Sequence, residues 1–404
     1  MPFDVKQKRV YELALAGNNQ FVSGGGGVGK TYVVQEVIDE LRKQGRNVLV
    51  CAFTKLAALN LDPQNGLTIF KAFNTYPKGL SFDDAGLKRL RRSSAMNADV
   101  IIIDEISMCS KGLFSYVSQA IRTISYEKGY KNIQLIVLGD FHQLPPVAKG
   151  KLEIEYAFES HYWNTWGFEV TILGTPHRQS DPEFVRRLDQ IRRGENIMEN
   201  LRYIKDNSHY LEKNEDVISL CSYRADVAAL NNERIERLPG ECRHYLAAHN
   251  SQNYMEDLTV WEDLKLKVGT LVMTIYNDPS NRFYNGLTGH ILELLEDAVV
   301  VEFSDSTPYT PHIVKIGRQR WEDNDNGYYV CQLPIIPAYS ITIHKAQGCT
   351  LDAVNVNPKC FADGQLYVAL SRVKNIKNLY ITDEIRPEYI KVNPKVLDFY
   401  SKYE

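Results

Sequence analysis

Apolar positions recur along this chain with two different periods, and where the period changes the chain divides. In the first 175 residues, short apolar runs at 20–22, 47–53, 99–103, 134–138 and 170–173 read as strands separated by helical stretches. Between the first two runs, Val33, Val34, Val37, Ile38 and Leu41 share one stripe at helical spacing. Val100-Ile101-Ile102-Ile103 is apolar throughout, as a parallel strand covered on both faces must be. The alternation predicts a doubly wound α/β domain. Residues 81–97 interrupt it with Lys88, Arg89, Arg91 and Arg92, which suit either a solvated helix face or an insertion that contacts phosphates. A helix at 183–193, a strand at 217–221 and a helix at 225–238 begin a second α/β unit. That unit resumes at 333–404, with strands near 353–356 and 378–382. Between these parts, at about 240–332, the period shortens. Strands at 268–276, 289–295, 298–303 and 328–333 are separated by turn residues such as Asn277-Asp278-Pro279-Ser280 and Asn285-Gly286. An all-β module inserted into the second unit follows.

Composition narrows the class without naming a chemistry. The 404 residues are 44% hydrophobic and 24% charged, ordinary for globular chains and enough for two to four domains. Collagen-like, disordered and disulfide-stapled classes are excluded. No run approaches the roughly 18 apolar residues of a membrane span, and the first residues, Met1 to Lys6, carry no signal-peptide or transit pattern. The expectation is an intracellular protein with no membrane partner. Seven cysteines without a CxxC pair suit buried thiols in a reducing compartment and argue against a zinc site. With 47 basic and 50 acidic side chains the net charge is −3, so any nucleic-acid surface must be local.

The chemistry concentrates at strand ends. Gly24-Gly25-Gly26-Gly27-Val28-Gly29-Lys30-Thr31 satisfies G-x-x-x-x-G-K-[ST] between a strand and an amphipathic helix. Glycines let successive N–H groups turn toward a polyphosphate, Lys30 reaches its β/γ-phosphates, and Thr31 offers a hydroxyl to Mg²⁺. The segment from Gly25 to Thr31 is therefore the expected nucleotide cradle. Asp104-Glu105 closes the next central strand, where ligands of open α/β sheets bind; Asp104 suits Mg²⁺ and Glu105 suits the attacking water. Gln143, in Gly139-Asp140-Phe141-His142-Gln143-Leu144-Pro145-Pro146, can sense a γ-phosphate or its water. His142 reads as a surface imidazole. The N-K-x-D motif of a GTPase is absent.

Taken in order, these segments resemble the Pif-type helicases, relatives of RecD within helicase superfamily one, over nearly the whole chain. Ala52 to Ala58, Gly66 to Phe73, Asp104 to Met108, Pro176 to Asp181, Asn285 to Gly289, Ile341 to Gly348 and Tyr367 to Arg372 carry the resemblance. It implies two RecA-like doubly wound P-loop NTPase domains with a small β-barrel insertion of Src-homology-three type in the second. The first domain would span 1–176, with a small insertion at about 74–97. The second would comprise 177–239 and 333–404, and the inserted module 240–332. It further implies an ATP-dependent DNA helicase using ATP and Mg²⁺, moving 5′-to-3′ on single-stranded DNA and opening forked duplexes, as a monomer. Gln7 would read adenine and Gly348 would lie on the nucleotide. Lys30, Glu105, Gln143 and the arginine fingers Arg178 and Arg372 would carry catalysis. Thr54, Lys55, Thr68, Phe70, Thr342, His344 and Lys345 would contact DNA. Phe70 stands where the family usually has histidine, so stacking on a base replaces a polar contact there. On a helix over 365–373, Leu366, Leu370 and Val373 form the packed stripe and Arg372 points away from it. Rival readings are a translocating ATPase that strips proteins or assists recombination without strand separation, a non-catalytic nucleotide-binding module, and a small-molecule kinase. Intact Lys30, Thr31, Asp104, Glu105 and Gln143 count against the second, and two α/β units against the third.

Overall fold

The computed structural model describes residues 3–76, 80–129, 132–146, 153–176, 179, 181–252, 255, 260–280, 282–303, 312–323 and 327–403, without the side chains of Lys55, Leu56 and Asp323. The chain forms two compact units. One comprises Met1–Lys213, Gln347–Ala353 and Pro358–Glu404; the other comprises Asn214–Ala346 and Val354–Asn357.

The first unit is built on six parallel strands: β1 (Gln20–Ser23), β2 (Val48–Ala52), β3 (Leu67–Thr68), β4 (Val100–Asp104), β5 (Gln134–Gly139) and β6 (Glu169–Ile172). Their spatial order is β3-β2-β4-β5-β1-β6. Alternate residues of the apolar strands serve opposite faces, which is why no polar residue interrupts them. Ile101, Ile103, Leu135 and Val137 pack with Phe114, Val117 and Ile121 of the helix Lys111–Glu127, and with Trp163 and Phe399. Ile102, Ile136 and Leu138 pack with Val33, Val37 and Leu41 of the helix Lys30–Lys43, the stripe expected from the sequence. Because β1 sits between β5 and β6 while the chain leaves it toward β2, the strand order reverses beside β1. Its carboxyl end therefore opens a crevice.

In the second unit, an antiparallel sheet runs in the order Ile313–Gly317, Ala298–Phe303, Thr288–Leu294, Leu271–Thr274, Ile335–Pro337. Val299, Val301 and Phe303 point inward at every second position onto Ile291, Val272 and Leu264. This is the expected β module, with the strands Arg243–Leu246, Asp263–Leu266, Ile313–Gly317 and Gln319–Asp323 added to it. The same unit holds the parallel strands Ser340–Thr342, Ser219–Cys221 and Val354–Val356. Asn231 of the helix Arg224–Arg237 donates to the Ser340 carbonyl (2.9 Å) and accepts its N–H (3.0 Å), fixing that helix to the sheet. The fold is the α/β class with an inserted β module that the periodicity predicted. Among the described residues, no helix is long and apolar enough to cross a membrane.

Candidate functional site

At the end of β1 the chain turns through four glycines and starts the helix Lys30–Lys43 from Gly29, whose φ of 80° places it in the left-handed region. Among the described residues no side chain caps that helix, which leaves its positive N-terminus at the crevice, the arrangement that binds anions. Lys30 Nζ donates to the carbonyls of Gly24 (2.6 Å) and Gly25 (2.9 Å). Burial lowers the Lys30 pKa, opposed by the charges of Asp140, Glu105 and Asp104. The ammonium is held in place but under-compensated, which favours an arriving polyphosphate.

β4 delivers the acidic pair. Burial raises the Asp104 pKa to about 7, and Glu105 adds to the effect. Glu105 takes φ 55° and ψ 45°, uncommon for a side chain of its size. Its N–H donates to Asp104 Oδ1 (2.7 Å). β5 delivers Asp140, which burial would raise; Arg192 more than reverses this and brings it down to about 2. Arg192 donates from Nε and Nη2 to the two Asp140 oxygens, both at 2.8 Å. The loop beyond places Gln143, buried, with its Nε2 3.4 Å from Asp140 Oδ2.

A cavity of about 500 Å³ gathers most of the expected set. Gly26, Gly27, Val28, Gly29, Lys30, Thr31, Asp104, Glu105, Gln143, Gly348 and Arg372 all line it. Gly25 and Gln7 do not. Gln7 caps the first helix instead, its Oε1 accepting the Asp4 N–H (3.2 Å), and its buried Nε2 has no partner among the described residues. Arg178 lies outside the described residues. The donor set fits a hard divalent cation: a hydroxyl from Thr31 and a carboxylate from Asp104 beside a second carboxylate, with Asp104 pushed toward its neutral form by burial and by Glu105.

Two expectations are corrected here. Arg372 does not point away from the packed face: it is 1% exposed. The helix spans only Gln365–Leu370, all six residues are buried, and Ser371 caps it, so a helical projection does not extend to Arg372. Instead Arg372 folds back, donating to the carbonyls of Val368 (2.7 Å) and Cys349 (3.0 Å), and it still reaches the cavity wall. His142 is no surface imidazole. It is 5% exposed and stacks on the Tyr400 ring at 4.8 Å. Burial lowers its pKa to about 4, with Arg192 adding to the effect.

The expected DNA contacts fall in both units. Thr54 and Thr68 stand at the ends of adjacent strands and cap the helices that follow, accepting N–H groups of Ala57 and Lys71. Each hydroxyl keeps its own hydrogen to donate. Phe70 is half-buried against the core of the first unit. The Lys55 side chain lies outside the described residues. Thr342, His344 and Lys345 belong to the second unit. Burial lowers the pKa of His344, and that of Lys345 to about 8, with Arg224 lowering both further. His344 is thereby held neutral at pH 7, and Arg224 with Lys345 makes the local positive site that the net charge concealed.

Sequence reasoning gave no role to Arg192, Arg224, Tyr367 or Gln347, although the last two lie within segments that carry the resemblance. The signal for Arg192 was present: Phe184, Leu188, Ile191 and Arg192 are the buried residues of their helix, which places an arginine on the apolar stripe. Tyr367, whose hydroxyl accepts the Gly26 N–H (3.0 Å), had no such signal.

The comparisons with known proteins find relatives along the whole chain. Residues 3–206 match the family model of the PIF1-like helicase. A Xenopus laevis protein named ATP-dependent DNA helicase PIF1 is 29% identical over 99% of this chain and 64% of its own length. The Bdellovibrio bacteriovorus ATP-dependent DNA helicase Pif1 is 30% identical, covering 99% of this chain and 92% of that protein. A crystal structure of Pif1 helicase from Bacteroides in complex with ADP-AlF3 and ssDNA is 26% identical, with a TM-score of 0.83 over 100% of this chain and 97% of the other. The chain spans less than two thirds of the length of the vertebrate relatives. The motif order, the glycine-loop cavity and a relative matched almost end to end agree on one point: the chain belongs to the PIF1-like helicase family.

Proposed function

We propose that this protein is an ATP-dependent DNA helicase that translocates 5′-to-3′ on single-stranded DNA and opens forked duplexes. The observation that carries the reading is the convergence of Lys30, Asp104, Glu105, Gln143 and Arg372 on one cavity at a helix N-terminus. The family, and the ADP-AlF3 and ssDNA bound by the Bacteroides relative, support the same substrates. The glycine loop and Lys30 bind the β/γ-phosphates, and Thr31 and Asp104 hold Mg²⁺, which supplies charge neutralisation when bound. Glu105 orients the attacking water and takes its proton, Gln143 reads the γ-phosphate, and Arg372, with Arg178, stabilises charge as the terminal bond breaks. Gln7, which does not line the cavity but whose buried amide nitrogen has no partner among the described residues, is the adenine contact in this reading. Thr54, Lys55, Thr68, Phe70, Thr342, His344 and Lys345 grip the DNA backbone and bases. The domain limits that go with this reading are those of the sequence, 1–176, 177–239 with 333–404, and 240–332 for the inserted module, which differ from the two compact units in assigning 177–213 and most of 347–404 to the second domain.

The test is unwinding of a forked duplex bearing a 5′ tail against one bearing a 3′ tail, for the wild type and Lys30→Ala. The 5′-tailed fork should open, the 3′-tailed fork should not, and Lys30→Ala should open neither while keeping its circular dichroism. ATP turnover without strand separation on either fork would favour a translocase that displaces proteins.

A further inference from the structure

We infer that Gln347 is a positioning residue for the Glu105 carboxylate, pinning one oxygen so that the other is presented to the cavity. The inference rests on the reading of Glu105 as the group that orients the attacking water. Gln347 is 7% exposed, and its Nε2 donates to Glu105 Oε2 at 2.9 Å. The same nitrogen lies 3.5 Å from Ser107 Oγ. The other carboxylate oxygen, Oε1, lies beside Gly348, where an added Cβ would stand 3.5 Å from it. Gly348 and Glu105 both line the cavity, whereas Gln347 is not among the lining residues. The amide therefore grips Glu105 from behind the wall.

A purely structural role explains this poorly. Gln347 Oε1 is buried and has no hydrogen-bond partner among the described residues. An apolar side chain of similar shape would fill the space without stranding an acceptor, so the amide is the less stable choice at this position. What it gains is a charge-assisted bond to the one carboxylate set on a left-handed backbone at the cavity edge. Glu105 has rotatable bonds beyond that backbone, and a general base must be held within a fraction of an ångström to act. Gln347 fixes the last of those rotations.

The experiment is a double-mutant cycle read in ATP turnover with single-stranded DNA present, using Q347L, E105Q and the two combined. Q347L should lower kcat about 10- to 100-fold while changing KM for ATP by less than about 3-fold. E105Q should lower kcat about 100-fold or more. The double variant should be no slower than E105Q alone, because Gln347 acts only through Glu105. Wild-type kcat in Q347L, or a double variant that loses the product of the two factors, overturns the inference. Wild-type turnover in E105Q overturns instead the reading of Glu105 on which it rests. Should Q347L prove misfolded by circular dichroism, Q347E keeps the shape and sets a carboxylate against Glu105. A loss at least as large as that expected of Q347L then supports the inference, and wild-type kcat sinks it.

Discussion

At the scale of single residues, the site is a set of charges held away from their preferred state until a ligand arrives. Lys30 is under-compensated and Asp104 is pushed toward neutrality, while Asp140 is fully committed to Arg192. His142 has a consequence for stability. Its folded pKa, about 4, lies below its ordinary 6.5, so the unfolded chain binds the proton first. Stability is thus intact above pH 6.5 and falls as pH drops from 6.5 toward 4, by roughly 3 kcal/mol at most. His142→Phe, which keeps a ring against Tyr400, should flatten that slope in urea melts at pH 7 and pH 5. Asp104 contributes with the opposite sign in this window, because its folded pKa is raised, but it does so equally in both proteins. An unchanged slope in the variant would contradict the burial of a neutral imidazole. Arg372→Ala should lower kcat about 100-fold or more, the order expected for removing one transition-state charge, and leave ADP affinity within about 3-fold. Equal losses in both would make Arg372 a binding residue only.

At the scale of elements, the sequence made the supporting framework readable and left the close contacts dark. Val100-Ile101-Ile102-Ile103 could be read as a two-sided parallel strand because both faces are covered. The stripe from Val33 to Leu41 could be read because its helix buries one face. The helix Gln365–Leu370 could be read, over 365–373, but not its facing or its end, since it is buried all round and has no polar face to set a period. That left Arg372 misplaced and Tyr367 without a role. His142 was misjudged because polarity predicts exposure, whereas its ring is enclosed by Tyr400 and the Asp140–Arg192 pair. Contacts between residues far apart in sequence, such as Gln347 with Glu105, carry no local pattern at all. Gly364 shows how tightly the buried helix is placed. Its φ is +66°, and an added Cβ would stand 2.3 Å from the His142 carbonyl oxygen. Gly364→Ala should cost about 2 kcal/mol or more, read as a lower urea midpoint. A variant as stable as the wild type would show that the helix start yields easily.

At the scale of the whole molecule, a net charge of −3 coexists with a local basic site at Arg224 and Lys345, so charge bookkeeping alone is blind to the DNA partner proposed above. In the function proposed above, the cavity of about 500 Å³ holds ATP and single-stranded DNA drives its hydrolysis. The direct measurement is steady-state ATP turnover at saturating ATP and Mg²⁺, with and without a single-stranded oligonucleotide. Turnover that rises several-fold with DNA, and is abolished in Lys30→Ala, is the predicted result. The same rate with and without the oligonucleotide would contradict it.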